Sequence, residues 1–146
     1  FRTPLLIYCP GGKQGVVNEM VQNIDYAPTF LEAAGVKVPS DIQGCSLLPL
    51  LQGKKPANWR KSLYYHYYEY PAEHSVCRHY GIRTKRYTLI HFYNDIDSWE
   101  LYDLKKDPSQ LHNIYGQKGT EKLTERLKKE LKELQVQYND PIRNQY

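Results

Sequence analysis

Apolar residues change their spacing along the chain, and each change predicts a different element. An unbroken apolar run from Leu5 to Cys9 ends in a proline and two glycines, which is typical of a strand buried on both faces. Residues 23–35 carry apolar side chains at helical spacing, with Pro28 suited to a first turn and Gly35 to a helix end, so we expect a helix. The expected apolar face of this helix consists of Ile24, Ala27, Phe30, Leu31 and Ala34.

Residues 36–61 combine prolines and glycines with one short apolar patch, which predicts an irregular connection. From Ser62 onward, four short stretches rich in Tyr, Ile, Val and Thr are separated by turn-forming residues. This pattern predicts a small antiparallel sheet. We place the turn between the second and third strands at Thr84 and Lys85, although neither is the glycine or asparagine that a tight turn favours.

The last predicted element is an amphipathic helix that begins after Thr120, whose hydroxyl is placed to cap the first amides. Its apolar positions recur every three or four residues, while Glu and Lys occupy the other face. We expect this leucine stripe to cover one face of the sheet, which gives an α+β fold with a small antiparallel four-stranded sheet packed by a C-terminal helix. A coiled coil is the alternative. The stripe consists of Leu123, Leu127, Leu131, Leu134 and Tyr138.

Composition narrows the class of protein. The 146 residues carry a net charge of +4, and the 25% that are charged include both signs, which argues against a disordered polyanion-binding arm. The longest apolar run is far shorter than the roughly 20 residues that span a bilayer, so we expect no membrane span. Three cysteines are too few for a disulfide framework and leave at least one thiol free. Because neither an initiator methionine nor a secretory signal opens the sequence, we expect it to begin inside a longer protein.

Three groups of polar side chains suggest chemistry, and each has a plainer interpretation. His74, Cys77 and His79 are zinc-ligand types but lack a fourth partner, so we expect no metal site. The NDID sequence at residues 94–97 begins like a calcium loop but lacks its glycine and closing glutamate. A basic, tyrosine-containing run at residues 78–87 could bind sulfate, phosphate or single-stranded nucleic acid, but strand alternation would divide its cations between two faces. We therefore expect no nucleic-acid partner.

Several stretches, taken in order, resemble the C-terminal part of the type I sulfatases, which depend on formylglycine. The matching strings are RTPLLIYCPGG, NIDYAPTFLEAAG, IQGCSLLPLLQG, GIRTKRYTLIHFY and WELYDLKKDPSQLHNIY. The segment YYHYYEYPAEHSVCRHYGIRTKRY further resembles the branch that contains N-acetylglucosamine-6-sulfatases and mucin-desulfating sulfatases. Gln110 departs from the pattern, because the family usually has glutamate at this position.

The resemblance implies an alkaline-phosphatase-like α/β catalytic domain followed by a smaller domain of four antiparallel strands and a helix. Residues 1–61 would be a remnant of the catalytic domain (strand, helix and wrap) with its connection, and residues 62–146 would be the C-terminal subdomain. In this family a cysteine or serine within C/S-x-P-x-R becomes formylglycine beside a calcium ion. The sequence contains no such motif. The nucleophile and the calcium ligands are therefore expected upstream of Phe1, with no catalytic residue in this chain.

The resemblance also suggests substrate-binding residues. His79 is expected to hydrogen-bond a sugar hydroxyl, with Arg78 as the weaker candidate. A neutral imidazole donates through one nitrogen and accepts through the other, which suits a hydroxyl group. The alternative is that His79 only stacks on the sheet.

The leading hypothesis is the C-terminal part of a carbohydrate sulfatase, inactive alone, that acts on the 6-O-sulfate of N-acetylglucosamine in glycosaminoglycan or mucin glycans. Its partners would be the sulfated glycan and its own N-terminal catalytic domain. One alternative is a non-catalytic module that binds sulfated or acidic glycans, and another is an interaction module that uses the leucine stripe. The resemblance implies a periplasmic or secreted bacterial protein, or a lysosomal one in eukaryotes, and the few cysteines fit bacterial export better.

Overall fold

The computed structural model describes residues 3–142, and the chain divides into two compact units, Phe1–Arg60 and Lys61–Tyr146. The first unit contains a 3₁₀ turn at Asn23–Asp25, helix α1 at Tyr26–Ala33 and helix α2 at Leu48–Leu51. The second contains strands β1 at Ser62–Tyr67, β2 at His79–Thr84, β3 at Tyr87–Phe92 and β4 at Ser98–Asp103, and helix α3 at Glu121–Gln137. Within residues 3–142, no helix has the length and apolar character needed to cross a bilayer.

The predicted strand at the start of the chain is wrong. The residues from Leu5 to Cys9 adopt no regular secondary structure, and Leu6 and Tyr8 are 95% and 90% exposed. A strand needs a neighbouring strand to accept and donate its backbone hydrogen bonds, and the described part of the first unit contains none. The apolar run is therefore left in solvent in this unit.

Helix α1 forms where the spacing predicts it, and Gly35, at φ 68°, follows its end. The side of this helix that is buried is not the apolar side that the spacing predicts. Phe30, on the predicted apolar face, is 71% exposed, whereas Pro28 and Thr29 are buried. Polar contacts of Asp25 and Thr29, described below, decide which side of the helix faces inward. The buried apolar core of this unit consists of Leu47, Leu50 and Trp59.

The second unit contains the predicted antiparallel sheet, with strand order β1-β2-β3-β4. Helix α3 packs its leucine stripe against one face of this sheet, and the two form one α+β core. The expected fold class is confirmed. Because the stripe is buried within the unit, it is not available for a coiled coil or for binding another helix. The buried apolar residues of the core are Tyr80, Ile82, Leu89, Tyr93, Leu101, Leu127, Leu131 and Leu134.

Two local predictions in the second unit need correction. The hairpin between β2 and β3 turns at Lys85 and Arg86 rather than at Thr84 and Lys85. The hydroxyl oxygen of Thr84 accepts the Arg86 amide at 3.2 Å and so holds this turn. Thr120 precedes α3, but its hydroxyl donates to the carbonyl oxygen of Gln117 at 2.7 Å and caps no helix amide. In both places a local hydrogen bond between a side chain and the backbone decides the geometry.

Candidate functional site

The candidate site lies at one end of the sheet of the second unit, where two loops leave it. Because neighbouring strands are antiparallel, the β1–β2 loop and the β3–β4 loop emerge at the same end. Arg78 joins these loops. Its Nε donates to the carbonyl oxygen of Tyr68 at 3.1 Å, and its Nη2 donates to that of Tyr70. Its Nη1 lies 3.9 Å from Asp95 Oδ1 in the other loop.

His79 begins β2 and lies on the face of the sheet away from α3, since the next residue, Tyr80, belongs to the core. Its Nδ1 lies 2.9 Å from the carbonyl oxygen of Cys77, and because a carbonyl oxygen only accepts, Nδ1 donates in this hydrogen bond. The ring stacks on Tyr67 with centroids 5.4 Å apart and lies 5.0 Å from the ring of Phe92. The residue is only 5% exposed, so its neighbours cover nearly all of it.

The other candidate groups are dispersed in the structure. Within residues 3–142, no three His, Cys, Asp or Glu side chains are grouped so that they could hold a metal ion. His74, from the zinc-like sequence, is exposed. In the basic run, Arg86 forms a two-point ion pair with Asp103, with N–O distances of 3.0 and 2.8 Å. Asp97, from the NDID sequence, contacts the buried His91 at 2.9 Å.

A buried polar cluster on the side of the sheet that faces α3 is the main feature that the sequence did not predict. His66 Nδ1 lies 2.8 Å from Asp140 Oδ2, and His66 Nε2 lies 2.6 Å from the hydroxyl oxygen of Tyr93. The hydroxyls of Tyr64 and Tyr68 also donate to Asp140, at 2.7 and 3.3 Å. His66 and Asp140 are 74 residues apart in the sequence, so local spacing does not predict their contact. Alternation with Tyr64 along β1 is the one signal that His66 faces inward.

Burial sets the charge states in this cluster. It lowers the pKa of His66 by more than the hydrogen bond to Asp140 raises it, so the imidazole is neutral. Burial acts against ionisation of Asp140, but hydrogen bonds from His66 and Tyr64 help to outweigh it, and the pKa of Asp140 lies below its ordinary value. A carboxylate only accepts hydrogen bonds, so Nδ1 of His66 carries the proton and Nε2 accepts from Tyr93. The cluster is a neutral histidine between an anionic acceptor and a tyrosine donor.

A second buried histidine, His91, is held between two polar groups. Its Nδ1 lies 2.7 Å from the Tyr80 hydroxyl oxygen and its Nε2 lies 2.9 Å from Asp97 Oδ1. Its ring stacks on Trp99 with centroids 4.1 Å apart, and the ammonium group of Lys128 lies 4.0 Å from the Trp99 ring centroid. Burial lowers the pKa of His91 despite the hydrogen bond to Asp97, so this imidazole is neutral as well.

Because the pKa values of His66 and His91 are lowered in the folded chain, we expect the second unit to lose stability in mild acid. Their folded-state pKa values lie below the ordinary histidine value of about 6.5, so below that pH the unfolded chain binds more protons than the folded one. Their stabilisation is complete above about pH 6.5 and is lost as the pH falls toward the folded pKa, by up to about 1.4 kcal/mol per pH unit for each histidine. Urea unfolding at a series of pH values from about 7.5 to about 5.5 measures this slope.

Matched variants test whether the two histidines cause the pH dependence of the free energy of unfolding. His66→Gln should remove about half of the pH dependence, because it removes one of the two histidines whose pKa is lowered in the folded chain. His112→Gln changes an exposed histidine and should leave the slope unchanged. Asp140 and Asp103 also have pKa values below the ordinary one, but their contribution is lost only below about pH 4, outside this range. An equal slope in His66→Gln and the unmodified chain would contradict the assignment.

Comparison with known proteins decides the family. Residues 1–137 match the family described as N-sulphoglucosamine sulphohydrolase, C-terminal. The chain belongs to this family. The N-acetylglucosamine-6-O-sulfatase of Bacteroides thetaiotaomicron is 57% identical to it, over 95% of this chain and 26% of that protein. A multifunctional alkaline phosphatase superfamily protein, PehA of Trinickia caryophylli, is 34% identical, over 80% of this chain and 25% of that protein.

A solved structure shows the same fold. It is the structure of a protein in complex with its substrate D-glucosamine-2-N,6-O-disulfate, and it matches with a TM-score of 0.77 and 61% identity over 80% of this chain and 24% of that one. These matches confirm the resemblance to the C-terminal region of sulfatases. The chain spans about a quarter of the length of the curated relatives, at 26% and 25% of their chains.

In the first unit, the residues shared with the sulfatase pattern serve packing. Asp25, from the matching string NIDYAPTFLEAAG, is fully buried and forms a two-point ion pair with Arg60. Its Oδ1 also accepts the Cys45 amide at 2.9 Å. The hydroxyl of Thr29 donates to the Asp25 carbonyl oxygen at 2.5 Å and accepts the Leu47 amide at 2.8 Å. The motif therefore joins the start of α1 to the segments that follow it.

Other positions of the sulfatase pattern also connect backbone segments. Gly44, from the matching string IQGCSLLPLLQG, allows two segments to meet, since a Cβ there would lie 2.0 Å from the Ile24 carbonyl oxygen. In the second unit, E-L-Y-D-L supplies Asp103, the ion-pair partner described above. Asn113, from the same matching string WELYDLKKDPSQLHNIY, accepts the Leu101 amide at 2.9 Å through its side-chain oxygen. The motifs in this chain thus identify the family through structural residues rather than through reacting groups.

Proposed function

We propose that the chain is the C-terminal part of a carbohydrate sulfatase that removes the 6-O-sulfate of N-acetylglucosamine in glycosaminoglycan or mucin glycans. One observation carries this proposal, the 57% identity over 95% of the chain with an N-acetylglucosamine-6-O-sulfatase. The relative solved with a 6-O-sulfated glucosamine supports the same class of substrate.

Residues 1–61 are proposed to complete the catalytic α/β domain of the longer protein, and residues 62–146 to form its C-terminal subdomain. In the first unit Leu6, Tyr8 and Phe30 lie largely in solvent. Full burial of a large apolar side chain contributes about 1.5–3 kcal/mol, so a domain that covers these three gains substantial free energy. The catalytic domain of the longer protein is the proposed occupant, because the match covers only 26% of the sulfatase relative.

The reacting groups are proposed to lie in the rest of the longer protein. Residues 3–142 offer no cluster of three carboxylate or other metal-binding side chains for calcium, and the sequence has no C/S-x-P-x-R motif that could become formylglycine. Calcium therefore lacks a set of ligands within residues 3–142, and formylglycine lacks its precursor motif in the sequence. Its own contribution would be His79 and Arg78 at the sugar subsite, in a protein that acts in the periplasm or outside the cell.

The longer protein is expected to release sulfate from N-acetylglucosamine 6-sulfate, measured by ion chromatography. His79→Ala should raise KM about tenfold with little change in kcat, because it removes one hydrogen bond to the sugar and no reacting group. His112→Ala alters an exposed histidine and should leave KM unchanged.

The two parts of this proposal fail separately. If the unmodified longer protein releases no sulfate from 6-sulfated N-acetylglucosamine, the proposed activity is wrong. If it does release sulfate and His79→Ala has the same KM as the unmodified enzyme, only the role of His79 is wrong. Thermal unfolding of each variant checks that a change in KM does not come from partial unfolding.

A further inference from the structure

Tyr68, the residue that follows β1, is exposed in an unusual setting. Among the described Phe, Trp and Tyr side chains of the second unit, it is the exposed one, at 52%. The ring lies at the same end of the sheet as Arg78 and His79. A single exposed tyrosine is ordinary on a protein surface, so its contacts decide whether it has a particular role.

Three contacts hold Tyr68 in place. Its ring stacks on the imidazole of His66, with centroids 3.7 Å apart and an interplanar angle of 25°. Its hydroxyl donates to Asp140 Oδ2 at 3.3 Å, and its carbonyl oxygen accepts Arg78 Nε at 3.1 Å. Partial burial and the neighbouring carboxylate raise the pKa of Tyr68 to about 12, so the hydroxyl remains a donor. An exposed ring is thus anchored at its inner face, its tip and its backbone.

An exposed ring that is already ordered favours ligand binding by Tyr68. A free surface tyrosine loses rotamer freedom when it binds a ligand, which weakens the complex. Here the stack on His66 and the bond to Asp140 have already ordered the ring, so little freedom is left to lose. Because His66 covers one ring face, the exposed area lies on the other face and the edge. A flat, ordered aromatic face open to water is complementary to the C–H face of a sugar ring.

The solvent exposure of the Tyr68 ring indicates which sugar of the glycan it would contact. A reacting sugar is usually enclosed, since binding pockets bury most of a small ligand's surface. A ring that is 52% exposed instead matches an outer sugar of a polymer, which is covered on one side only. We propose that Tyr68 is a stacking platform for a sugar of the glycan beyond the sulfated unit, with His66 and Asp140 as positioning residues. This inference rests on the proposed sulfatase function.

The test compares two substrates in the longer protein. One is the monosaccharide N-acetylglucosamine 6-sulfate, and the other is an oligosaccharide with the same sulfated unit at its non-reducing end. Tyr68→Ala is expected to lower the ratio of kcat/KM on the oligosaccharide to that on the monosaccharide by about five- to tenfold, mainly through KM. Tyr68→Phe keeps the ring and should retain most of the ratio, whereas Tyr68→Leu keeps apolar bulk without a flat face and should lose it. Leu111→Ala, at an exposed apolar residue elsewhere in the unit, is the control.

Asp140→Asn tests the positioning role. It weakens the acceptor of the Tyr68 hydroxyl and of His66, so the substrate ratio should fall by about two- to threefold while the monosaccharide kcat shows no matching loss. Two results would contradict the proposal that Tyr68 stacks on a sugar. One is an equal loss of kcat/KM on both substrates, and the other is an unchanged ratio of the two kcat/KM values in Tyr68→Ala.

Binding of the unsulfated oligosaccharide, measured by titration calorimetry, separates the platform from the sulfatase activity. Weaker binding by Tyr68→Ala in a protein that releases no sulfate would support the platform and contradict the proposed function. Unchanged binding in a protein that does release sulfate would support the function and contradict the platform.

Discussion

Asp25→Ala is expected to destabilise the first unit by about 3–5 kcal/mol, because it leaves the guanidinium group of Arg60 buried without its partner. Asp25 is fully buried, and the Arg60 side chain is almost so. The change also removes the acceptor of the Gln22 amide at 2.8 Å and of the Cys45 amide at 2.9 Å. These two hydrogen bonds are only part-buried, so water that reaches the amides reduces the cost of about 1–3 kcal/mol that a fully buried unsatisfied donor would add.

Hydrogen exchange resolved by mass spectrometry measures this effect within the first unit alone. Amides in residues 22–60 should exchange faster in Asp25→Ala, by a factor that corresponds to the lost stability. Asp41→Ala removes an exposed carboxylate from the same unit and should leave exchange unchanged. Asp25→Asn keeps one acceptor oxygen and should cost less than Asp25→Ala. Similar exchange in Asp25→Ala and Asp41→Ala would show that the buried ion pair does not support the unit.

Leu127→Ala is expected to destabilise the second unit by about 2–5 kcal/mol, because it opens a cavity between α3 and the sheet. Leu127 is fully buried in the cluster that contains Ile82, Leu89 and Leu101 from three neighbouring strands. These neighbours lie on a hydrogen-bonded sheet that has little freedom to move into the space. The cost should therefore lie toward the upper part of that range.

Urea unfolding followed by far-ultraviolet circular dichroism measures this loss, since α3 is the longest helix of the described chain. Leu111→Ala is the matched control, because it makes the same chemical change at an exposed position. It should alter the free energy of unfolding by less than about 0.5 kcal/mol. If the two variants were equally stable, the leucine stripe would not form the core of the unit.

The sheet and α3 were predictable because their signals are local. Stretches rich in Tyr, Ile, Val and Thr between turn-forming residues predict strands, and leucines repeated every three or four residues predict an amphipathic helix, without reference to the rest of the chain. Once the strands and the helix exist, one apolar stripe and one apolar sheet face must cover each other, and Leu127 of the stripe lies in the same buried cluster as Ile82 of the sheet. The small errors, at the turn after Thr84 and the cap at Thr120, came from hydroxyl groups that bond to the nearest backbone group.

The first unit was less predictable because its apolar residues lack partners within it. The pattern from Leu5 to Cys9 is that of a strand, but the described part of the unit provides no neighbouring strand. On α1, the spacing placed Phe30 on the inner face, whereas the buried bonds of Asp25 and Thr29 turned another side inward. A hydrophobic pattern predicts which face of a strand or helix is apolar, but it does not predict which segment of the protein packs against that face.

The geometry of the candidate site was less predictable than either unit, because it depends on contacts between residues far apart in the sequence. The sequence pointed to Arg78 and His79, and the structure places them at the loop end of the sheet, with Arg78 fastening two loops and His79 among aromatic rings. Nothing in local spacing joins His66 to Asp140, because the contact forms only when the segment after α3 reaches β1. The ordered position of Tyr68 follows from that contact.

The amino-acid sequence alone determined the membership of a sulfatase family, the four-stranded sheet and the helix that covers it, since each depends on residues close together in the chain. Tertiary structure decided the burial of α1, the charge states of His66 and His91, and the ordering of Tyr68. These features depend on which distant groups meet away from water, where one hydrogen-bond partner changes both the energy and the protonation of a side chain.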